Sequence, residues 1–106
     1  TPFPDPTLFR SGKITPSPLP ASPVVDSAEA FGAFVRSLRT QQQLRIDDAA
    51  ALCGVSVQLL SDLENGSRSV GLDKALAVAR QLGLTLLAVP KSEQPQAIAA
   101  IKRQSL

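Results

Sequence analysis

The sequence predicts an all-α domain of four to five helices, preceded by an extended proline-rich arm and followed by a short tail. Apolar residues recur at helical spacing in successive segments between residues 26 and 83. These segments are separated by glycines and small polar residues of the kind that stop or cap helices. Seven of the nine prolines lie at positions 2, 4, 6, 16, 18, 20 and 23, ahead of the first amphipathic segment. Residues 1–25 therefore read as the arm, 26–90 as the domain and 91–106 as the tail.

The elements follow in order. Asp26-Ser27-Ala28-Glu29 has the form of a capping box. Behind it Ala30, Phe31, Phe34, Val35 and Leu38 give one apolar face, predicting a first helix over about 27–42, with Gln41, Gln42 and Gln43 ending it without an evident cap. Leu44 opens the next unit, and Asp47 and Asp48 suit the positive end of a helix that continues through Ala49, Ala50, Ala51, Leu52 and Cys53. Three small residues in a row allow a neighbouring helix to come close. Gly54 is placed to end that helix in the left-handed conformation, Val55 to turn inward and Ser56 to cap the third helix. Leu60 and Leu63 form the core face of the third helix, and Asn65-Gly66 stops it. After the loop Ser67-Arg68-Ser69-Val70-Gly71, the residues Leu72, Ala75, Leu76, Val78, Ala79 and Leu82 predict a fourth helix ending at Gly83. Leu84, Thr85, Leu86, Leu87, Ala88 and Val89 form a short apolar run stopped by Pro90 and read as a strand. One strand alone is unstable, so this one is expected to pair with its copy in a homodimer. Ala97 to Ile101 predict a short helical tail.

Composition excludes several classes. The chain has no histidine and one cysteine, Cys53, which removes an intrachain disulfide, a zinc site of the usual kind and histidine-based acid–base catalysis. Cys53, between Leu52 and Gly54, reads as a small buried residue. Ser61 and Asp62 are adjacent on a helix and point apart, so no nucleophile–base pair is evident and no enzyme, cofactor or small-molecule substrate is expected. No apolar run is long enough to span a membrane and no signal peptide is read, so the cytoplasm is the expected compartment. The net charge is +2, yet residues 26–92 carry seven basic and seven acidic side chains. A DNA-binding reading therefore needs local clustering of arginine, a dimer or both.

Gly54 to Gly66 is the turn and second helix of a helix-turn-helix, a shape that enters the DNA major groove. Arg39, Ala50, Gly54-Val55-Ser56, Leu60, Leu63, Glu64-Asn65-Gly66, Leu72 and Leu82-Gly83-Leu84 carry a resemblance over residues 27–90 to the Xre/Cro-type helix-turn-helix family, the group of the phage repressors. The apolar run after the fourth helix resembles the Hip-type antitoxins in particular, which repress their own operon, dimerise through such a strand and bind a kinase toxin.

The resemblance implies a role for each matching residue. Ser56, Val57, Gln58, Ser61 and Asp62 stand where the family reads base edges, and Arg45, Ser67, Arg68 and Ser69 where it touches phosphates. Arg39 and Glu64 stand where it often holds a salt bridge. The chain departs from the pattern at Ile46, where many relatives have Gln, at Val57, where a polar reader is usual, and at Asp62, whose charge repels phosphate. Gln58 is left as the one bidentate reader, and Val57 can meet a thymine methyl. The expected function is a dimeric repressor on operator DNA that is also the antitoxin of a kinase toxin. The alternative is a helix-turn-helix that serves as a protein-interaction module with little DNA readout. In either case Phe3, Leu8, Phe9 and Ile14 suggest that the arm docks on a partner or on the second subunit.

Overall fold

The computed structural model describes residues 14–104. Five α-helices follow one another: α1 (Ala28–Gln41), α2 (Ile46–Cys53), α3 (Val57–Asn65), α4 (Leu72–Leu82) and, after a 3-10 turn at Lys91–Glu93, α5 (Gln94–Gln104). The first four enclose one core of Phe31, Val35, Ala49, Ala50, Cys53, Leu60, Leu63, Ala75, Val78, Ala79 and Leu82. Leu38, Leu44, Ile46, Val55, Val70 and Leu84 close over it from the loops and helix edges.

Local chemistry sets the boundaries. The cap of α1 is Ser27 rather than Asp26: its hydroxyl accepts from the Ala30 amide at 3.0 Å. The helix ends through Gln43, which takes a left-handed φ of 60°, while the Gln42 side chain donates to the Leu82 carbonyl at the end of α4. Polar side chains thus supply the stop that the sequence does not announce. Gly54, Gly66 and Gly83 end α2, α3 and α4 in the left-handed region, and the residue after each donates back to a carbonyl of the last turn. Ser56 caps α3, its hydroxyl accepting from the Leu59 amide at 3.0 Å.

The crossing of α1 with α3 is close because α1 carries a glycine at the contact. A Cβ on Gly32 would stand 2.3 Å from the Leu63 carbonyl oxygen and 2.4 Å from that of Glu64. The end of α3 therefore rests on the backbone of α1.

One expectation is corrected. Leu84, Thr85, Leu86, Leu87, Ala88 and Val89 form no strand; no strand occurs among the described residues. The run is apolar enough for a strand, but a ladder needs a second extended backbone, and none pairs with it here. Leu84 packs on the core, while Leu86, Leu87 and Val89 face solvent, Leu87 with 75 % of its surface exposed. In α4 only Ala75, Val78, Ala79 and Leu82 are buried; Leu72 and Leu76 are exposed.

The described part of the arm is extended and lies along α1. The Ser17 amide donates to Thr40 Oγ1 at 2.9 Å, and its carbonyl accepts from Ser37 Oγ and Gln41 Nε2. Ile14 exchanges two hydrogen bonds with the Gln43 side-chain amide, at 2.9 and 2.8 Å. Ser37 and Thr40 are buried yet fully bonded, which is how polar side chains tolerate burial. Phe3, Leu8 and Phe9 lie outside the described residues.

Candidate nucleic-acid interface

The helix-turn-helix presents α3 with a sharply divided surface. Leu60, Leu63 and Glu64 face inward, while Ser56, Val57 and Gln58 are exposed and Ser61 and Asp62 are half-buried at the edge. Leu60 and Leu63 three apart set the inner stripe, and the Gly54-Val55-Ser56 turn fixes the angle at which α3 leaves α2.

The inner edge is locked by charge. The Glu64 side chain is 1 % exposed and its carboxylate meets two guanidinium groups. Arg39 donates from Nε to Oε2 and from Nη2 to Oε1, a forked contact, and its Nη1 donates to the Leu44 carbonyl at 2.9 Å. Arg36 donates to Oε1 at 3.3 Å and to Asn65 Oδ1 at 2.6 Å. Arg39 thereby ties α1, the α1–α2 connection and the end of α3 into one unit. Arg36 stands three residues before Arg39, which puts both on one face of α1.

The outer surface carries a second, weaker network centred on Asp62. Gln58 Nε2 donates to Asp62 Oδ1 at 2.9 Å, and Ser67 Oγ donates to the same oxygen at 3.3 Å. Arg68 Nε stands 3.9 Å from Asp62 Oδ2. Four of the residues expected at DNA are thus brought together before any DNA arrives. Ser69 is exposed and lines a shallow depression with Arg68, Val70 and Phe31.

Arg45 borders the other side. It precedes α2, pairs with Asp47 at 3.5 Å, and lines an open cleft of about 620 Å³ with Ile14, Arg36, Arg39, Ile46, Ser61 and Glu64. Three arginines against Asp47 and Glu64 leave that cleft net positive. Ile46, where a polar residue is common in the resembling family, packs against the core instead. The docked arm places Ile14 at the rim of this cleft, beside Arg45 and Ser61, a neighbour that the sequence did not reveal.

Among the described residues there is no cluster of His, Cys, Asp and Glu able to hold a metal ion. Cys53 is buried and burial pushes its thiol above the usual value, which keeps it protonated and unreactive. No helix among the described residues is long and apolar enough to cross a membrane.

Comparison with known proteins agrees with this geometry. The helix-turn-helix family pattern matches residues 35–89, from the middle of α1 to the end of the apolar run. The chain is 38 % identical over 56 residues to the uncharacterised HTH-type transcriptional regulator y4mF of Sinorhizobium fredii, covering 53 % of this chain and 74 % of that protein. It is also similar to the crystal structure of the clp gene regulator ClgR from C. glutamicum. That likeness has a TM-score of 0.50 and 33 % identity, and covers 55 % of this chain and 75 % of ClgR. With the glycine-capped turn, the buried Leu60 and Leu63 and the Arg39–Glu64 lock all in place, the chain belongs to the Xre-like helix-turn-helix family of transcriptional regulators.

Proposed function

We propose that this chain is a DNA-binding transcriptional regulator that acts as a homodimeric repressor. The observation that carries the reading is the outer surface of α3, whose polar residues are exposed or edge-lying with an arginine network on each side. Ser56, Val57, Gln58, Ser61 and Asp62 are the proposed base-facing positions; Arg45, Ser67, Arg68 and Ser69 are the proposed phosphate contacts. Two copies would set two α3 helices about 34 Å apart in successive major grooves. Leu72, Leu76, Leu86, Leu87 and Val89 supply exposed apolar surface that a dimer would cover.

A narrower version adds repression of the chain's own operon and binding of a Hip-type kinase toxin. Its support is the resemblance alone, since the paired strand that suggested it is not formed among the described residues. Its test is whether the protein encoded beside it on the same transcript is a kinase and binds this chain in vitro.

The DNA reading is tested by titrating a labelled duplex of the chain's own promoter at several salt concentrations. Binding should weaken as salt rises, and Arg68→Ala should lower the log–log slope by about 0.9, the loss of one phosphate contact. An unchanged slope removes the Arg68 role. Absence of any duplex binding favours the second reading, a protein-interaction module, for which the exposed Val57 and the pairing of Arg68 with Asp62 speak.

A further inference from the structure

The sequence offers Asp62 as a liability on a DNA-facing helix, because its charge opposes phosphate. Its contacts give it a different part. Gln58 and Asp62 are four residues apart on α3 and so share a face. The Gln58 amide donates through Nε2 to Asp62 Oδ1 at 2.9 Å, and the same oxygen takes the Ser67 hydroxyl at 3.3 Å. An ionised carboxylate only accepts hydrogen bonds, whereas a glutamine amide has one accepting and one donating end. Beside Asp62 the amide is therefore held with Nε2 toward the carboxylate. Its remaining N–H and its carbonyl oxygen are the two groups left for a base.

We infer that Asp62 is a specificity-determining positioning residue. It fixes which way the Gln58 amide faces and so directs Gln58 to adenine, whose major-groove edge offers an N7 acceptor beside an N6 donor. Ser67 and Arg68 extend the arrangement, because they join the same carboxylate to the loop that follows α3. The base reader and the neighbouring loop are then one unit centred on one side chain. The same charge disfavours guanine at that place, since guanine presents two acceptors. The inference rests on the DNA-binding reading above and deepens it.

The test is selection of bound sequences from a pool of randomised duplexes, with affinity for the unselected pool measured beside it. The wild-type chain should enrich a site containing an adenine whose enrichment Gln58→Ala abolishes. Asp62→Asn keeps the size of the side chain but lets the two amides pair either way round. It should lower the adenine preference, read as affinity for the adenine site relative to the unselected pool, about tenfold, within the range that one bidentate pair discriminates. Asp62→Glu keeps an acceptor-only group on the same face and should retain the preference, which a merely structural role for Asp62 would not require. Thermal melting of each variant checks that it is folded. An adenine preference left intact in Asp62→Asn overturns the inference, and so does one left intact in Gln58→Ala. A wild-type chain that binds the pool but enriches no sequence overturns it while leaving the regulator reading in place. Failure to bind any duplex removes both.

Discussion

The inner and outer surfaces of α3 come from the same nine residues and are held in different ways. Inward, Leu60 and Leu63 join the core and Glu64 is enclosed by Arg36 and Arg39. Outward, the side chains of Gln58, Asp62, Ser67 and Arg68 meet at the surface, and the Ser67 amide donates to the Asp62 carbonyl. Water competes less with the Arg39–Glu64 contact, whose side chains are 12 % and 1 % exposed, than with the Arg68–Asp62 contact, where Arg68 is 77 % exposed, so the two networks differ in strength although both are made of charges and amides. The helix is thus held firmly at its inner edge and more loosely at its outer surface.

The sharpest test of that division is Glu64→Ala. It leaves two guanidinium groups at the inner edge without their shared carboxylate. Loss of one member of a buried pair costs about 3–5 kcal/mol, a large part of the 5–15 kcal/mol that a typical domain has (roughly) in all. Urea unfolding followed by circular dichroism should show a large drop in midpoint. A change under about 1 kcal/mol would mean that the inner edge is no firmer than an exposed pair.

Gly32→Ala separates helix propensity from packing, because the two predict opposite signs. Alanine favours a helix interior over glycine by about 1 kcal/mol. Here the added methyl carbon would fall 2.3 Å from the Leu63 carbonyl oxygen and 2.4 Å from that of Glu64, and backbone cannot swing aside as a side chain does. Overpacking of this kind costs about 1–3 kcal/mol or more, so the net result should be destabilisation. A more stable Gly32→Ala protein would show that α1 and α3 can move apart freely.

How much of this was legible in the sequence depends on how local each cause is. The four helices of the domain were legible, because apolar spacing, Ser56, Gly54, Gly66 and Gly83 act within a few residues of where they stand. The start of α1 was missed by one residue because Asp26 and Ser27 are both good caps and only the folded backbone selects one. The Arg39–Glu64 pair came from family resemblance, since nothing local says that residues 25 apart will meet. Gly32 carried a signal, a glycine inside an otherwise regular helix, and Arg36 carried another, an arginine one turn before Arg39. The two extended segments show the limit. Residues 14–17 and 84–89 were both readable as extended, but not what each would lie on. One finds Ser37, Thr40, Gln41 and Gln43 on its own domain, and the other finds no ladder partner among the described residues.

A smaller effect is expected where the arm meets α1. Thr40→Val keeps the shape of the side chain and removes the acceptor of the Ser17 amide, which is part-buried. The loss should be about 1 kcal/mol, near the lower end for an unsatisfied buried donor. Hydrogen exchange at the Ser17 amide should quicken at the same time. An unchanged rate would mean that the arm leaves α1 readily in solution, and would place its contacts with the weak outer network rather than with the firm inner one.

Val57→Ala should have the smallest effect on the fold and is the most direct probe of the outer surface. Val57 keeps 45 % of its surface in the folded chain, so its removal takes away little buried area. Stability should stay within about 0.5 kcal/mol, the usual span for a surface substitution. Binding is where the valine acts, if α3 enters the groove. The loss should be confined to one thymine-containing base pair, because methyl–methyl contact is the only discrimination that this side chain offers. A stability loss above about 1 kcal/mol would break the comparison between the two surfaces. It would require Val57 to be covered in solution by something other than this chain, which favours the protein-interaction reading over the DNA-binding one.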